Sequence, residues 1–516
     1  MCTSGNSDTA AGDGIGGARA TRAFPAWVRT SASLGVSAVL ATLGACAVGP
    51  DFQRPAPPKA DRFTIEPLPA ATLTADGRAQ QLIPGGAVSA DWWRLFRSAQ
   101  LDAIVQQALA NNPTLQASLA SLRQSQHNLR AGYGVFFPQA EANFDAIHER
   151  SAPLQRGVPA SSSVFNLITL SGTVSYALDL FGGERRAVEA LRAQADYQYY
   201  ASKAAYVTLS ANIVNTTIAR AAYVAEVRAT VQLIDLQKQQ LAATEVAVRT
   251  GTAPYSDALS LRSLVAANRA TLASLEQKIS QAEDLLASLE GLAPSEASLP
   301  AVELTDLSVP ADVPVSLPSD LVRQRPDILS SEAQLHAASA NIGVATAALF
   351  PSISLSATDG ATGSSLGSLT APNGRFWSIG PSVTIPVFQG GTLWYHRKAA
   401  IDAFQEAQAL YRQTVLDAFA QVADSLKALQ HDAQALQAQS DAQQAAGEAL
   451  GLVQVNYRAG LAAYLDVWIA DVQFHEATIG YLQAIAQRQQ DTVALFVALG
   501  GGWWNEARPT RPSEAK

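Results

Sequence analysis

Two short stretches carry a glycine, a tyrosine and an aspartate in the same spacing. They are Arg249-Thr-Gly251-Thr-Ala-Pro-Tyr255-Ser-Asp257 and Arg458-Ala-Gly460-Leu-Ala-Ala-Tyr464-Leu-Asp466. The offset is 209 for all three residues (460−251, 464−255, 466−257). A carboxylate at Asp257 or Asp466 can cap the helix that follows it, a position where Asp is favoured. Alternatively, if copies of the chain meet about an axis, the carboxylates form a ring of like charges. Such a ring raises its own pKa values and attracts cations. The spacing leaves both readings open. Arg249 and Arg458 either tie the tips together as ion pairs or rest favourably at helix C-termini, the better reading for Arg249. A second chemistry lies at Cys46. Arg19, Arg22 and Arg29 precede an apolar run from Leu34 to Leu43, and Leu43-Gly-Ala-Cys46 follows. A cationic region, a short apolar core and small residues before the cut are secretory-signal features. The cysteine after them looks like a bacterial lipoprotein processing site, which makes Cys46 the acylated first residue of the mature chain.

Other chemistries find little support. The histidines (His127, His148, His336, His396, His431 and His475) have no metal-ligand spacing. No phosphate-cradling glycine loop or nucleophile elbow occurs. No cofactor is therefore expected apart from the covalent lipid on Cys46, and no enzymatic activity. Cys2 and Cys46 are the only cysteines, so no disulfide framework is available. The net charge of −8, without a basic block, argues against nucleic acid as a partner.

The elements that must position these residues are long. Arg185–Arg249 and Thr392–Arg458 contain no proline and are rich in Ala, Gln, Leu and Glu, which favour helix. Each predicts a rod of roughly 100 Å at the α-helical rise. Charged and amide residues along both rule out lipid-buried spans. In the second rod Val415, Phe419, Val422, Leu426, Leu429, Ala433 and Leu436 step by four and three, a coiled-coil seam. Gly251 and Gly460 supply the stops, and a returning helix follows each. Upstream, Asn112-Pro113 and Phe137-Pro138 recur as Arg325-Pro326 and Phe350-Pro351, both offset by 213 (326−113, 351−138). Leu115, Leu122 and Leu129 fall on Ile328, Leu335 and Ile342 at that offset, which indicates an internal duplication.

After each Phe-Pro the period changes to two. Ile168–Leu180 alternates apolar with small polar residues, as do Ile353–Ala357 and Trp377–Val387. About 9–11 residues suffice for a tilted transmembrane strand, and the alternation is that of a transmembrane barrel. Each copy supplies two strands. Four strands leave open edges, which lipid does not tolerate, and the smallest barrels of this kind have about eight. Several chains must therefore share one wall. Three would give a twelve-stranded barrel continued by a cylinder of helices.

The chain resembles the TolC-like outer-membrane efflux proteins, specifically their lipoprotein branch. The resemblance rests on Cys46-Ala-Val-Gly-Pro-Asp-Phe, Asp91-Trp92-Trp93, Leu178-Asp179-Leu180-Phe181-Gly182, Arg323-Gln-Arg325-Pro326-Asp327-Ile328, Phe350-Pro351-Ser352-Ile353 and Tyr457-Arg458-Ala-Gly460, in that order. It implies a homotrimeric channel in the outer membrane, lipid-anchored, with a long periplasmic portion. It also implies docking onto a periplasmic adaptor and a proton-driven inner-membrane pump of the resistance–nodulation–division class. The helix tips, with Arg249, Gly251, Arg458 and Gly460, are the implied adaptor contact. By position, Tyr464, Leu465 and Asp466 belong to the periplasmic gate, with Tyr255 and Asp257 as first-copy counterparts, and the resemblance favours the ring for Asp466. Ile469 stands where many members carry a second acidic residue. Asp471, the nearest acid, lies off that face, so a double acidic ring is not implied.

The expected fold is mainly α with a transmembrane β-barrel. A lipoprotein signal occupies 1–45 and an acylated extension and linker 46–97. The first repeat occupies 98–291, with a hairpin at 139–180, a long helix at 185–249 and a returning helix. A Pro-rich linker spans 292–318. The second repeat spans 319–500, with a hairpin at 352–388 and a long helix at 392–458, before a loosely ordered tail at 501–516. The expected function is the exit duct of a tripartite efflux pump for drugs or other toxic small molecules. The alternatives are the same duct serving type I protein secretion or metal-ion efflux, and a periplasmic adaptor lipoprotein without a pore.

Overall fold

The computed structural model describes residues 47–58, 60–67, 69–151 and 161–505. The signal segment and Cys46 lie outside these. Strand β1 (Gln81–Pro84) precedes a 3-10 turn at Trp92–Phe96, then α1 (Ala99–Asn111) and α2 (Pro113–Gly132). Strands β2 (Gln139–Ser151) and β3 (Ser163–Leu178) lead into α3 (Gly183–Arg249), which returns as α4 (Tyr255–Leu289). The second half runs β4 (Asp312–Val315), α5 (Pro318–Gln324), α6 (Pro326–Ala347), β5 (Ser352–Gly363), β6 (Arg375–Thr384), α7 (Thr392–Arg458) and α8 (Tyr464–Ala498). Helices α3 and α7 are each 67 residues long, and α4 and α8 are each 35.

Local chemistry sets these boundaries. Ser98 Oγ accepts from the Leu101 N–H at 3.3 Å, and Asn112 Oδ1 from the Leu115 N–H at 2.9 Å, with Pro113 opening α2. At the head of α3, Gly182 takes a left-handed turn (φ 77°). This lets the Asp179 carboxylate accept from the backbone N–H groups of Glu184 and Arg185, at 3.1 and 3.0 Å. The seam read along α7 is buried at Val415, Val422, Leu426, Leu429, Ala433 and Leu436, with Phe419 packed against it.

One large core sits at mid-height, where α1, α5, α6 and α8 pack on the rods. Trp92, Trp93 and Phe96 are buried there, and Trp92 stacks 5.6 Å from Phe496. The buried Arg488 of α8 donates to Gln80 Oε1 at 3.1 Å and to the Arg78 carbonyl at 3.2 Å.

The structure departs from the sequence reading in the connections. The stretch read as an acylated extension and linker, 46–97, contributes β1, and the Pro-rich linker contributes β4; the two pair in parallel from Gln81–Asp312 to Pro84–Val315. Residues 47–54 are seated against the head of α3 and against α6. The Val48 N–H donates to the Phe181 carbonyl at 2.9 Å, Asp51 pairs with Arg186 at 2.6 Å, Phe52 stacks on His336 at 4.3 Å and Arg54 pairs with Glu332 at 2.6 Å. The tail expected to be loose is anchored as far as Asn505. Three glycines at positive φ (Gly500, Gly501, Gly502) turn it back, and Trp503 Nε1 donates to the Gln324 carbonyl at 2.8 Å. β6 ends at Thr384, opposite Ser352 at the start of β5, rather than continuing to Val387.

The remaining strands form one antiparallel sheet in the order β2-β3-β5-β6. Its register sorts the faces. Val174 lies opposite Ala357, and Leu178 opposite Ile353, which pairs in turn with Val383. The other face carries Thr173 facing Thr358 and Thr169 facing Thr362, their hydroxyls 3.1 and 3.3 Å apart. Asp359 is a charged exception on the apolar face, beside Trp377. Phe144, Leu170, Val174, Trp377, Ile379 and Val383 are all exposed, so among the described residues nothing covers this face.

A face of this kind suits lipid. Val174→Arg is expected to cost about 2–4 kcal/mol and Thr173→Arg far less. Urea titration of the protein folded into bilayers measures both, and equal costs would contradict the assignment of faces.

Candidate functional site at the helix tips

Both rods stop in the same way. At the first tip the N–H groups of Thr250, Gly251 and Thr252 donate to Val246, Val248 and Ala247 at 3.0, 3.1 and 2.9 Å. At the second tip Ala459, Gly460 and Leu461 donate to Val455, Tyr457 and Asn456 at 3.1, 3.0 and 2.8 Å. Gly251 and Gly460 take φ of 78° and 75°, left-handed values that side chains resist. Arg249 and Arg458 lie in the last turns of α3 and α7, and neither forms an ion pair among the described residues. Within one chain, the helix-end reading accounts for both.

The returning helices then place the tyrosines and aspartates. Asp466 Oδ2 accepts from the Ala463 N–H at 2.8 Å, closing the first turn of α8. The capping reading therefore holds for Asp466 within the chain. The residue stays exposed, so capping leaves the carboxylate available to a symmetric neighbour. Asp257, also exposed, accepts from Ser256 Oγ at 3.2 Å. The two tips meet at a hollow of about 230 Å³ lined by Asp257, Ser260, Leu261, Tyr464, Leu465 and Trp468. The fold thus brings Asp257, Tyr464 and Leu465 together. Tyr255 and Asp466 stand outside this hollow, on exposed positions.

The two tips are held differently. At the first, Glu245 of α3 pairs with Arg262 of α4 at 2.7 Å, and Asn268 Nδ2 donates to Gln237 Oε1 at 2.9 Å. At the offset of 209, Glu245 falls on Gln454 and Arg262 on Asp471, so the second tip lacks the ion pair. Here Tyr457 and Tyr464 meet edge to face, 5.9 Å apart. Asp471 is 3% exposed, and its Oδ2 has no partner; Tyr464 Oη and Trp468 Nε1 are also buried without partners. Burial pushes the Asp471 carboxyl up to about 6 and raises the Tyr464 hydroxyl above its ordinary range. Sequence reasoning placed Asp471 off the gate face, and it is buried there. The tie at one tip and the orphaned acid at the other escaped it, although aligning the two copies residue by residue exposes both.

The sequence matches the family described as "Outer membrane efflux protein" over residues 104–292 and 317–501. It is 30% identical over 485 residues to the toluene efflux pump outer membrane protein TtgC of Pseudomonas putida, covering 92% of this chain and 96% of that one. It is 27% identical over 467 residues to the cation efflux system protein CusC of Escherichia coli, covering 90% and 97%. The fold superposes on the outer-membrane channel OprN with a TM-score of 0.79 at 26% identity, covering 89% of this chain and all of that one.

The raised Asp471 carboxyl has a pH consequence of definite sign. Its proton is held more tightly in the packed tip than in an opened one. The packed tip is therefore favoured below the ordinary carboxylate range, loses stability as pH rises from about 4 to 6, and stays weaker above that. Asp471→Asn is expected to strengthen the packed tip at neutral pH by up to about 3 kcal/mol and to flatten this pH response. Hydrogen exchange across the first turns of α8, corrected for intrinsic rates, measures both effects. Unchanged protection would contradict them.

Proposed function

Because the chain belongs to the outer membrane efflux protein family and is an outer-membrane efflux channel subunit, we propose that three copies close a single duct. The observation that carries this reading is the four-stranded sheet, which among the described residues is uncovered on its apolar face and unpaired along the outer edges of β2 and β6. Three such sheets joined edge to edge make twelve strands, above the minimum for a closed transmembrane barrel. The rods, each roughly 100 Å long, continue that wall into the periplasm.

The tips form the gate. Tyr464, Leu465 and Asp466, with Tyr255 and Asp257 beside them, line the resting constriction; the exposed carboxylates support this reading. Arg249, Gly251, Arg458 and Gly460 present the docking surface for a periplasmic adaptor, which links the duct to a proton-driven inner-membrane pump. Acylation at Cys46 anchors the chain; the seat of Val48 on Phe181, at the base of the sheet, supports an anchor at membrane level. The cargo is toxic organic small molecules, the class to which the toluene-pump relative points. The duct itself performs no chemistry.

Deleting the gene is expected to sensitise cells to solvents, dyes and antibiotics, with recovery on complementation. Sensitisation to metal salts alone would favour the cation-efflux alternative represented by the CusC relative. At the gate, Asp466→Asn keeps a good helix cap and removes the charge. It is expected to lower the cation-to-anion permeability ratio in planar bilayers by roughly twofold and to raise the resting conductance. Identical selectivity and conductance in mutant and parent would count against the ring.

A further inference from the structure

The two corners where strands give way to rods are built differently. At the first, every cation is neutralised: Arg185 pairs with Asp179 at 3.2 Å, and Arg186 with Asp51 at 2.6 Å and Glu189 at 2.7 Å. At the offset of 209, Arg185 and Arg186 fall on Trp394 and Tyr395, and the capping Asp179 falls on Phe388. The second corner reads Trp394-Tyr395-His396-Arg397-Lys398. Among the described residues, Arg397 Nε donates to Thr346 Oγ1 at 3.2 Å, and Lys398 Nζ lies 5.7 and 5.9 Å from the ring centres of Trp394 and Tyr395. No carboxylate pairs with either cation there. Just above, Val387 and Phe388 are 90% and 88% exposed. Both corners lie at one height. A single hollow of about 420 Å³ is lined by Asp179 and Phe181 from the first and by Pro386, Gln389 and Leu393 from the second.

We propose that residues 394–398 form a phospholipid-headgroup surface at the base of the sheet. Lys398 and Arg397 receive the lipid phosphate, and the rings of Trp394 and Tyr395 lie at the boundary between headgroups and acyl chains. Three observations select this occupant. The surface follows directly on β6 through the exposed Val387 and Phe388, next to the lowest apolar row of the sheet, Leu178, Ile353 and Val383. Amphipathic rings collect at membrane–water interfaces, where one side is apolar and the other wet. The unneutralised cations complement an anionic headgroup, and basic side chains beside a leaflet are held there by its phosphates. The rings also hold the Lys398 ammonium in place by cation–π attraction, so it is aimed before a lipid arrives.

This inference rests on the reading of the sheet as a membrane wall, so one preparation has to test the two separately. Full-length protein is inserted into vesicles of phosphatidylethanolamine and phosphatidylglycerol and released in mild detergent. Native mass spectrometry then counts the phosphatidylglycerol retained. Lys398→Glu is expected to lower retention about fivefold or more, and Lys398→Arg to preserve it. Equal retention by parent, Lys398→Glu and Trp394→Ala would overturn the proposal. Separation of the chains on Lys398→Glu substitution would also overturn it, assigning the corner to contact between subunits. Conductance of the same material in planar bilayers isolates the cause. A conducting channel with unchanged lipid retention removes the headgroup surface alone, whereas absence of current removes the wall as well.

Discussion

A backbone N–H or C=O left without a partner in hydrocarbon costs several kcal/mol, and an open strand edge exposes a row of them. The sheet of this protein has two such edges, along β2 and β6, and among the described residues its apolar face is not covered by any element of the same chain. The chain cannot relieve this internally. Its helices are committed elsewhere, with α4 and α8 folded back on α3 and α7, and α1, α5 and α6 gathered in the mid-height core. Neighbouring copies are the remaining source of partners, and the rods then follow the strands into a common cylinder. The proposed gate depends on the same closure, because a single exposed Asp466 could form a ring only in a complete wall.

Much of this organisation was legible in the sequence, since it is written in periods and offsets. The change from period two to heptads located the strands and rods, and the 209-residue offset of Gly251, Tyr255 and Asp257 located the tips. What escaped was long-range pairing of segments that carry no period. β1 and β4 are four residues each, too short to show alternation, and they find each other across more than two hundred residues. Residues 47–54 and the Trp503-Trp504 tail are held by side-chain contacts with distant helices, such as Arg54 with Glu332 and Trp503 with Gln324, for which composition gives no sign. At the candidate site, the choice between cap and ring for Asp466 was posed as an alternative. One carboxylate oxygen meeting the Ala463 N–H shows that the roles are compatible.

Duplication gave two similar halves, and the functional detail lies where they differ. Arg262 ties one tip to Glu245, while its counterpart Asp471 is buried at the other with one carboxylate oxygen unpartnered. The second copy also carries Tyr464, Leu465 and Asp466, the residues proposed for the gate. At the opposite end, Asp179 caps the first rod, and the second begins without that cap, with aromatic and basic side chains turned outward. The first copy is thus fastened at both ends, and the second carries the looser, more exposed chemistry.

The central claim is that the sheet of one chain is one third of a closed wall. Native mass spectrometry of the full-length protein, extracted from membranes in mild detergent, tests it directly. A single species with the mass of three chains is expected. A monodisperse single chain, carrying no ion current when returned to lipid, would contradict the account.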